Sequence, residues 1–375
     1  MTNPEFSILV IAGDGIGPEV CDEAVAVLEA ITSLPNSRAK FTFIHRPFGG
    51  ASIDQHGVSV TDETLSQGKT ADAILMGSVG GPKWDGKRRG FEGPEGATLR
   101  LRQVTDVYAN IRPCEYVEGG QTPLKEELVR GAKFIVLREN TGGAFYGPKT
   151  EEPEYASDLW AYKKGEIQRI ARMAAHLALS DAVPRKRVTS CDKDNVLATS
   201  RLWRRVVEET ITDEFPGVEL VHQLADSATT LMMMRPTAFN GVVVADNTFG
   251  DILSDLAGVI PGTLGVLPSA CLADLPCRQW GDKPTKGFYE PVHGSAPDIA
   301  GLGIANPIGA ILSAALLLRY SFAMETEARA IEDAVGQTLS SGVKTKDMKG
   351  TASTKEVGEA VRARLTAILG DVNGA

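Results

Sequence analysis

An apolar run that breaks at clustered glycines and resumes at helical spacing, FSILVIAGDGIGPEVCDEAVAVLEAI, opens the chain and narrows its fold more than any other stretch. A strand that passes through a tight turn into a helix is the repeating step of α/β architecture. FTFIHRPF, ADAILMG, KFIVLREN, KRVTSCDK, VELVHQLA and NGVVVADN read as further strands, several followed by helical stretches such as EIQRIARMAAHLALSDA. Such alternation predicts a largely parallel sheet covered by helices on both faces. The glycine cluster invites a dinucleotide fingerprint, but Pro18 stands where G-x-G-x-x-G from Gly13 needs its last glycine, and Val20 where the pattern from Gly15 needs it. GDGIGP is therefore read as a tight turn whose Pro18 and Glu19 open a helix, with a role in lining a site left open.

At 375 residues the chain is long enough for two domains or one interleaved α/β unit. The polar, aperiodic stretch GPKTEEPEYASDLWAYKKGE is expected to be a loop or a protruding arm suited to partner contact. Charged residues make up 23% of the chain, and no window approaches the roughly 18 unbroken apolar residues of a membrane span. The start shows neither a basic n-region nor an Arg-rich amphipathic stretch, so a soluble, cytoplasmic protein is expected. A net charge of -9 argues against nucleic-acid binding, although KWDGKRRG is locally basic and is read as a solvated loop or an anion contact. Cys21, Cys114, Cys191, Cys271 and Cys277 are scattered, odd in number and without zinc spacing, which points to reduced thiols.

In NTFGDILSD two acids, Asp251 and Asp255, follow the strand GVVVAD at i and i+4, hence on one face of the helix that the apolar spacing predicts. Their repulsion costs a few tenths of a kcal/mol unless a cation compensates it. Oxygen ligands without histidine or cysteine would favour Mg²⁺ or Mn²⁺. A solvated acidic face is the other interpretation that local sequence leaves open. Asp246, just ahead of the helix, is expected to be its cap rather than a ligand.

Seven motifs, GDGIGPEV, GSVGGPKWDG, YANIRP, RENTGG, DKDNVL, DNTFGDILSDLAG and YEPVHGSAPDIAGLGIANP, run in order across nearly the whole chain. Together they resemble the β-hydroxyacid oxidative decarboxylases of the isocitrate/isopropylmalate dehydrogenase family. The resemblance implies a two-domain, parallel-rich α/β sheet fold that is not a Rossmann fold. Residues 1–107 and 262–375 would form a cofactor domain built from both termini. Residues 108–261 would form a central domain for metal, substrate and dimerisation, with an arm near 145–165. It also implies a homodimer with shared active sites. The expected reaction is NAD-dependent oxidative decarboxylation of a 3-substituted malate, with 3-isopropylmalate yielding 4-methyl-2-oxopentanoate for leucine biosynthesis. A malate with a bulkier or aromatic substituent is the alternative, and a non-catalytic ligand-binding dimer a remote one.

Carried over position by position, the family pattern makes Asp226, Asp251 and Asp255 the ligands of Mg²⁺ or Mn²⁺, with Asp226 coming from the partner subunit. A metal there would polarise the substrate alcohol and stabilise the enolate left when CO₂ departs. Arg102, Arg112 and Arg138 resemble the carboxylate-binding arginines, whose forks suit a dicarboxylate. Lys193 matches the general base, also given across the dimer; cationic neighbours there would favour its neutral form. Gly80, Gly81, Glu95, His293, Gly294, Ser295, Ala296, Asp298 and Asn306 are the expected NAD contacts, and Asp298 on the ribose would reject a 2′-phosphate. Thr98, Leu99 and Val196 would line the pocket for the 3-substituent. Two departures stand out: Thr98 replaces a commonly apolar residue, and GGAFYG replaces GG-x-Tyr-Phe-Gly. If that stretch is extended, neighbouring side chains face opposite ways, and Phe145 then faces substrate where the family has its tyrosine.

Overall fold

The computed structural model describes residues 4–35, 37–84, 92–116 and 122–372. The chain divides into two compact units, Met1–Val107 with Thr263–Ala375, and Tyr108–Gly262. Most of KWDGKRRG lies outside the described residues; Lys83, at its start, pairs with Asp54 at 2.5 Å.

The first unit contains strands β1 (Glu5–Gly13), β2 (Lys40–His45), β3 (Ala73–Ser78), β11 (Pro268–Leu272) and β12 (Gly287–Pro291), in the order β2-β1-β3-β12-β11. All neighbours run parallel except β11 against β12. Its helices are α1 (Gly17–Thr32), α2 (Gly50–His56), α3 (Asp62–Thr70), α4 (Pro94–Thr105), α10 (Ile308–Phe322), α11 (Glu325–Ser340) and α12 (Thr354–Val372). Every residue of β3 is buried, as a continuous apolar run in a sheet covered on both faces requires. Leu9, Ile11, Phe48, Ile74, Leu101 and Phe288 belong to this unit's core.

The second unit contains β4 (Ala109–Glu115), β5 (Lys133–Glu139), β8 (Arg187–Asp192), β9 (Glu219–Leu224) and β10 (Gly241–Ala245), in the order β4-β5-β10-β8-β9, with β4 alone antiparallel to its neighbour β5. Its helices are α5 (Glu126–Val129), α6 (Lys164–Leu179), α7 (Ala198–Glu214), α8 (Ala225–Met234) and α9 (Asn247–Ala257). On α6 the residues Ile167, Ile170, Ala171, Ala174, Leu177 and Ala178 recur at helical spacing and are buried, so burial of that stripe fixes the helix. Phe134, Val136, Val243, Ala245 and Leu253 lie in this unit's own core.

The stretch expected as a loop or arm contains a regular hairpin: β6 (Lys149–Glu152) pairs antiparallel with β7 (Tyr155–Asp158), and every residue of both strands is exposed. Lys149 bonds Asp158 across it at 2.6 Å. With neither face covered in this chain, no apolar alternation marks the strands. All five cysteines are free thiols, and among the described residues no helix is long and apolar enough to cross a membrane.

Candidate functional site

In the second unit β5 carries Arg138 to its C-terminal end, and α9 presents its first turns alongside. Gly250 permits that approach, since a Cβ there would lie 2.7 Å from the Cβ of Arg138. Asp246 caps α9 by accepting from the Phe249 amide at 2.9 Å, as its position before the helix predicts. One turn apart on α9, Asp251 and Asp255 leave 38% and 65% of their side chains exposed. Arg138 ion-pairs with Asp251, while Arg112 Nη1 lies 2.9 Å from Asp255 and its Nη2 4.0 Å from Asp251. From sequence the arginines are expected on substrate and the aspartates on a cation; in the structure they pair with each other. The aspartate–aspartate repulsion is thereby offset by the chain's own guanidinium groups.

This donor set is still all oxygen, accessible and free of nitrogen or sulfur ligands, which fits a hard divalent cation. Among the described residues no group of three or more His, Cys, Asp and Glu side chains is gathered to hold a metal. One chain therefore brings Asp251 and Asp255 together without completing a three-acid site with Asp226.

Asp226, in the first turn of α8, instead accepts from Lys193 Nζ at 2.7 Å, and that hydrogen bond holds its carboxyl below the usual range. Lys193 follows the end of β8. Within one chain the ammonium thus faces a carboxylate. Val196, three residues on, is 62% exposed.

The turn after β5 departs from expectation in geometry. Gly143–Phe145 is a 3₁₀ turn entered at φ 71 by Gly143, not an extended segment, so strict alternation of side chains does not apply. Phe145 nonetheless turns toward Arg138, whose guanidinium carbon lies 5.4 Å from the ring centroid. Tyr146 ends the turn, half-buried.

The first unit holds the expected nucleotide residues. The GDGIGP turn reaches them: Ile16 N donates to Ser295 O at 2.8 Å, and Gly15, at φ 60, is required because a Cβ would collide with that same carbonyl. The cluster is thus a structural turn that also braces the loop after β12. In that loop His293 Nδ1 lies 2.9 Å from Gly294 O, while its buried Nε2 has no hydrogen-bond partner. Burial pushes the imidazole pKa down, so it is neutral near pH 7; a proton on Nδ1 leaves Nε2 as an acceptor for a ligand. Gly294 and Asp298 are exposed and Ser295 and Asn306 buried, and Ala296 sits at φ 38. Asn306 donates to Asp347 Oδ2 at 2.9 Å and accepts from Ile308 N at 3.1 Å, which fixes its amide. An unpartnered ring nitrogen, an exposed acid and a fixed amide on one loop fit an adenosine ligand.

Asp14 gathers the neighbouring loop: its carboxylate accepts from Gly50 N, Ala51 N and Gly80 N at 2.7, 2.7 and 2.8 Å. Gly80 and Gly81 have φ 98 and 155, and a Cβ on Gly80 would collide with the exposed Glu95. On α4, Arg102 forms a buried ion pair with Glu290 of β12, with both side chains 10% exposed. Thr98 is buried, its hydroxyl 3.9 Å from Met76 Sδ, and Leu99 is half-buried. Sequence reasoning missed Glu290, Asp347, Asp14 and Asn247. Glu290, Asp14 and Asn247 lie inside quoted motifs and Asp347 in none, but no local pattern names their partners.

One compact unit is built from both termini, and the other carries an accessible acid pair beside arginines. Residues 7–361 match the model of the isocitrate/isopropylmalate dehydrogenase family, and the chain belongs to that family. Its curated relatives are more particular. The 3-isopropylmalate dehydrogenase B of Aspergillus niger is 53% identical over 366 residues, covering 96% of this chain and 97% of that protein. The 3-isopropylmalate dehydrogenase of Sordaria macrospora is 49% identical over 368 residues, covering 97% and 98%. Among solved structures, an isocitrate dehydrogenase from Methylococcus capsulatus superposes with TM-score 0.82 at 31% identity, covering 96% of this chain and 99% of that one. A beta-decarboxylating dehydrogenase from Thermococcus kodakarensis gives 0.76 at 34% identity, with 97% of each chain covered.

Proposed function

We propose that the chain catalyses NAD-dependent oxidative decarboxylation of 3-isopropylmalate to 4-methyl-2-oxopentanoate, as a homodimer using Mg²⁺ or Mn²⁺, in leucine biosynthesis. The observation that carries this is the α9 face, where Asp251 and Asp255 meet Arg138 and Arg112, in a chain whose curated relatives are named for that dehydrogenase. Asp251 and Asp255, with Asp226 of a second copy, would hold the metal, and the loop His293–Asn306 with Gly80, Gly81 and Glu95 the nucleotide. When bound, the metal supplies Lewis-acid polarisation and the nicotinamide accepts hydride.

The chain's own residues do the rest. Arg102, Arg112 and Arg138 orient the two substrate carboxylates, and guanidinium forks hold such groups in fixed geometry. Lys193, once Nζ has released a proton to become the neutral amine, takes the alcohol proton in the neighbouring subunit's site. Within one chain its hydrogen bond to Asp226 orients Nζ. Phe145 covers Arg138 with an apolar ring, which excludes water from the arginine without offering a proton.

The test is NADH formation from a panel of 3-substituted malates, before and after EDTA, with Mg²⁺ or Mn²⁺ added back. Turnover of 3-isopropylmalate that is abolished by EDTA and restored by metal is expected. Preference for an aromatic substituent would reassign the substrate, and activity in metal-free samples would overturn the metal's role.

A further inference from the structure

Beneath the Arg138–Asp251 pair lies a buried chain of hydrogen bonds that the proposed chemistry does not use. Asn247, 1% exposed at the start of α9, accepts from Arg138 Nε at 2.9 Å through Oδ1 and donates from Nδ2 to Gly142 O at 2.9 Å. Its backbone amide donates to the Tyr162 hydroxyl at 3.0 Å. Tyr162, from the segment ahead of α6, is 8% exposed and packs edge-on against Trp203 at 5.7 Å. The hydroxyl in turn hydrogen-bonds Glu139, whose side chain is fully buried. Glu139 accepts from Thr141 N at 3.0 Å, Thr141 Oγ1 at 3.0 Å and Gly142 N at 2.8 Å.

Two glycines show how closely Tyr162 is fitted. A Cβ on Gly142 would lie 2.7 Å from Tyr162 Cε1 and 2.9 Å from Glu139 Oε2. A Cβ on Gly143 would stand 3.1 Å from Tyr162 Cζ and closer still to its hydroxyl. The tyrosine therefore forms the floor on which the Gly142–Phe145 turn rests. The same hydroxyl grips the first amide of α9, the helix that carries Asp251.

We infer that Tyr162, anchored by Glu139, is a positioning residue that holds Asn247, and through it Arg138, in the geometry that receives a substrate carboxylate. The phenol is buried and acts indirectly. It acts on Arg138 through the amide of Asn247, and on Phe145 through the backbone of Gly142 and Gly143. A buried polar network with its members satisfied gives one arrangement rather than several, because an unpaired group at low dielectric is costly. Such a network suits a guanidinium that must meet a planar carboxylate in register.

The inference rests on the proposed role of Arg138 in substrate binding, and its test separates the two. Tyr162→Phe keeps the ring against Trp203 and removes only the hydroxyl. Substrate KM and the Kd for 3-isopropylmalate by titration calorimetry are expected to rise about tenfold, the size of one net hydrogen bond. KM for NAD is expected to stay within about twofold, since a purely structural loss would move both. In an Arg138→Ala background the same change is expected to add nothing, as residues acting through one another are non-additive. Additive effects, or an unchanged substrate Kd in the single variant, would overturn the inference. Failure of the unmodified protein to bind any malate would instead overturn the assigned substrate. Hydrogen exchange then still decides the positioning role. The amides of Gly142 and Asn247 are expected to exchange at least about tenfold faster in Tyr162→Phe, and equal rates would refute it.

Discussion

The Arg102–Glu290 pair offers a test in which a binding role and a structural role diverge. Both side chains are 10% exposed, and the guanidinium carbon lies 5.7 Å from the ring of Phe288, so the pair sits within apolar packing. Arg102→Leu removes the cation and leaves the Glu290 carboxylate buried without it. Breaking a buried pair from one side costs about 3–5 kcal/mol. For a cooperative unit of this size each kcal/mol moves Tm by about 2–4 °C, so a fall of about 6–20 °C is expected by scanning calorimetry. Replacing both partners by leucine removes the stranded charge, and most of the lost Tm is expected to return. Substrate KM should not return with it, because the double variant still lacks a guanidinium for the substrate. A single variant within about 2 °C of the unmodified protein would refute the energetic reasoning, since less than about 1 kcal/mol would then be at stake. A double variant with normal substrate KM would refute the role of Arg102 in binding.

Asp246 makes stability depend on pH in a direction opposite to that of a salt-bridged acid. Burial, with Glu139 adding to it and the Phe249 amide opposing, pushes its carboxyl up to about 7. The unfolded chain therefore gives up this proton first as pH rises, and the group's contribution to stability declines between about pH 4 and 7. Asp246→Asn, which can still cap α9, is expected to raise Tm at pH 8 and to flatten that decline; a lower Tm at pH 8 would show that the charge itself is needed. Asp298 should make kcat/KM for NAD exceed that for NADP by well over tenfold, and equal values would show that the exposed acid does not meet the ribose. Mixing inactive Lys193→Ala with inactive Arg138→Ala under subunit exchange should restore part of the activity, and no recovery in verified heterodimers would contradict shared sites.

What could be read from the sequence follows from what burial imprints on it. The strands β3 and β10 are covered on both faces, so AILMGS and GVVVA are legible as apolar runs. β11 and β12 are not among the strands expected from sequence; PSACL begins and GFYEP ends with proline, which weakens a strand pattern. The hairpin β6–β7 left no alternation because none of its residues is buried. The caps and turns were local and therefore legible: Pro18 in the first turn of α1 and Asp246 ahead of α9 both stand where sequence put them. Long-range pairing was not. Arg102 meets Glu290 across 188 residues, Asn247 meets Tyr162 across 85 and Asn306 meets Asp347 across 41, and nothing in one sequence links such positions.

That gap bears on the three arginines proposed to bind substrate. Motif resemblance supplies their identity and expects a ligand carboxylate as their partner. In the folded chain Arg102, Arg112 and Arg138 each already hold a carboxylate of the protein, Glu290, Asp255 and Asp251. An arginine paired this way is oriented in advance, so little rotamer freedom remains to be lost when a ligand arrives. The pairing also opposes binding, because each guanidinium must share or exchange its partner. On the proposed metal role Asp255 and Asp251 would be held by a divalent cation, which would leave the donors of Arg112 and Arg138 free for substrate. Glu290 belongs to no such acid pair, so on the proposed role Arg102 would bind substrate while still engaged with it. Substrate affinity should therefore depend on metal through Arg112 and Arg138, and the contribution of Arg102, measured by its removal, should be the same with metal or without.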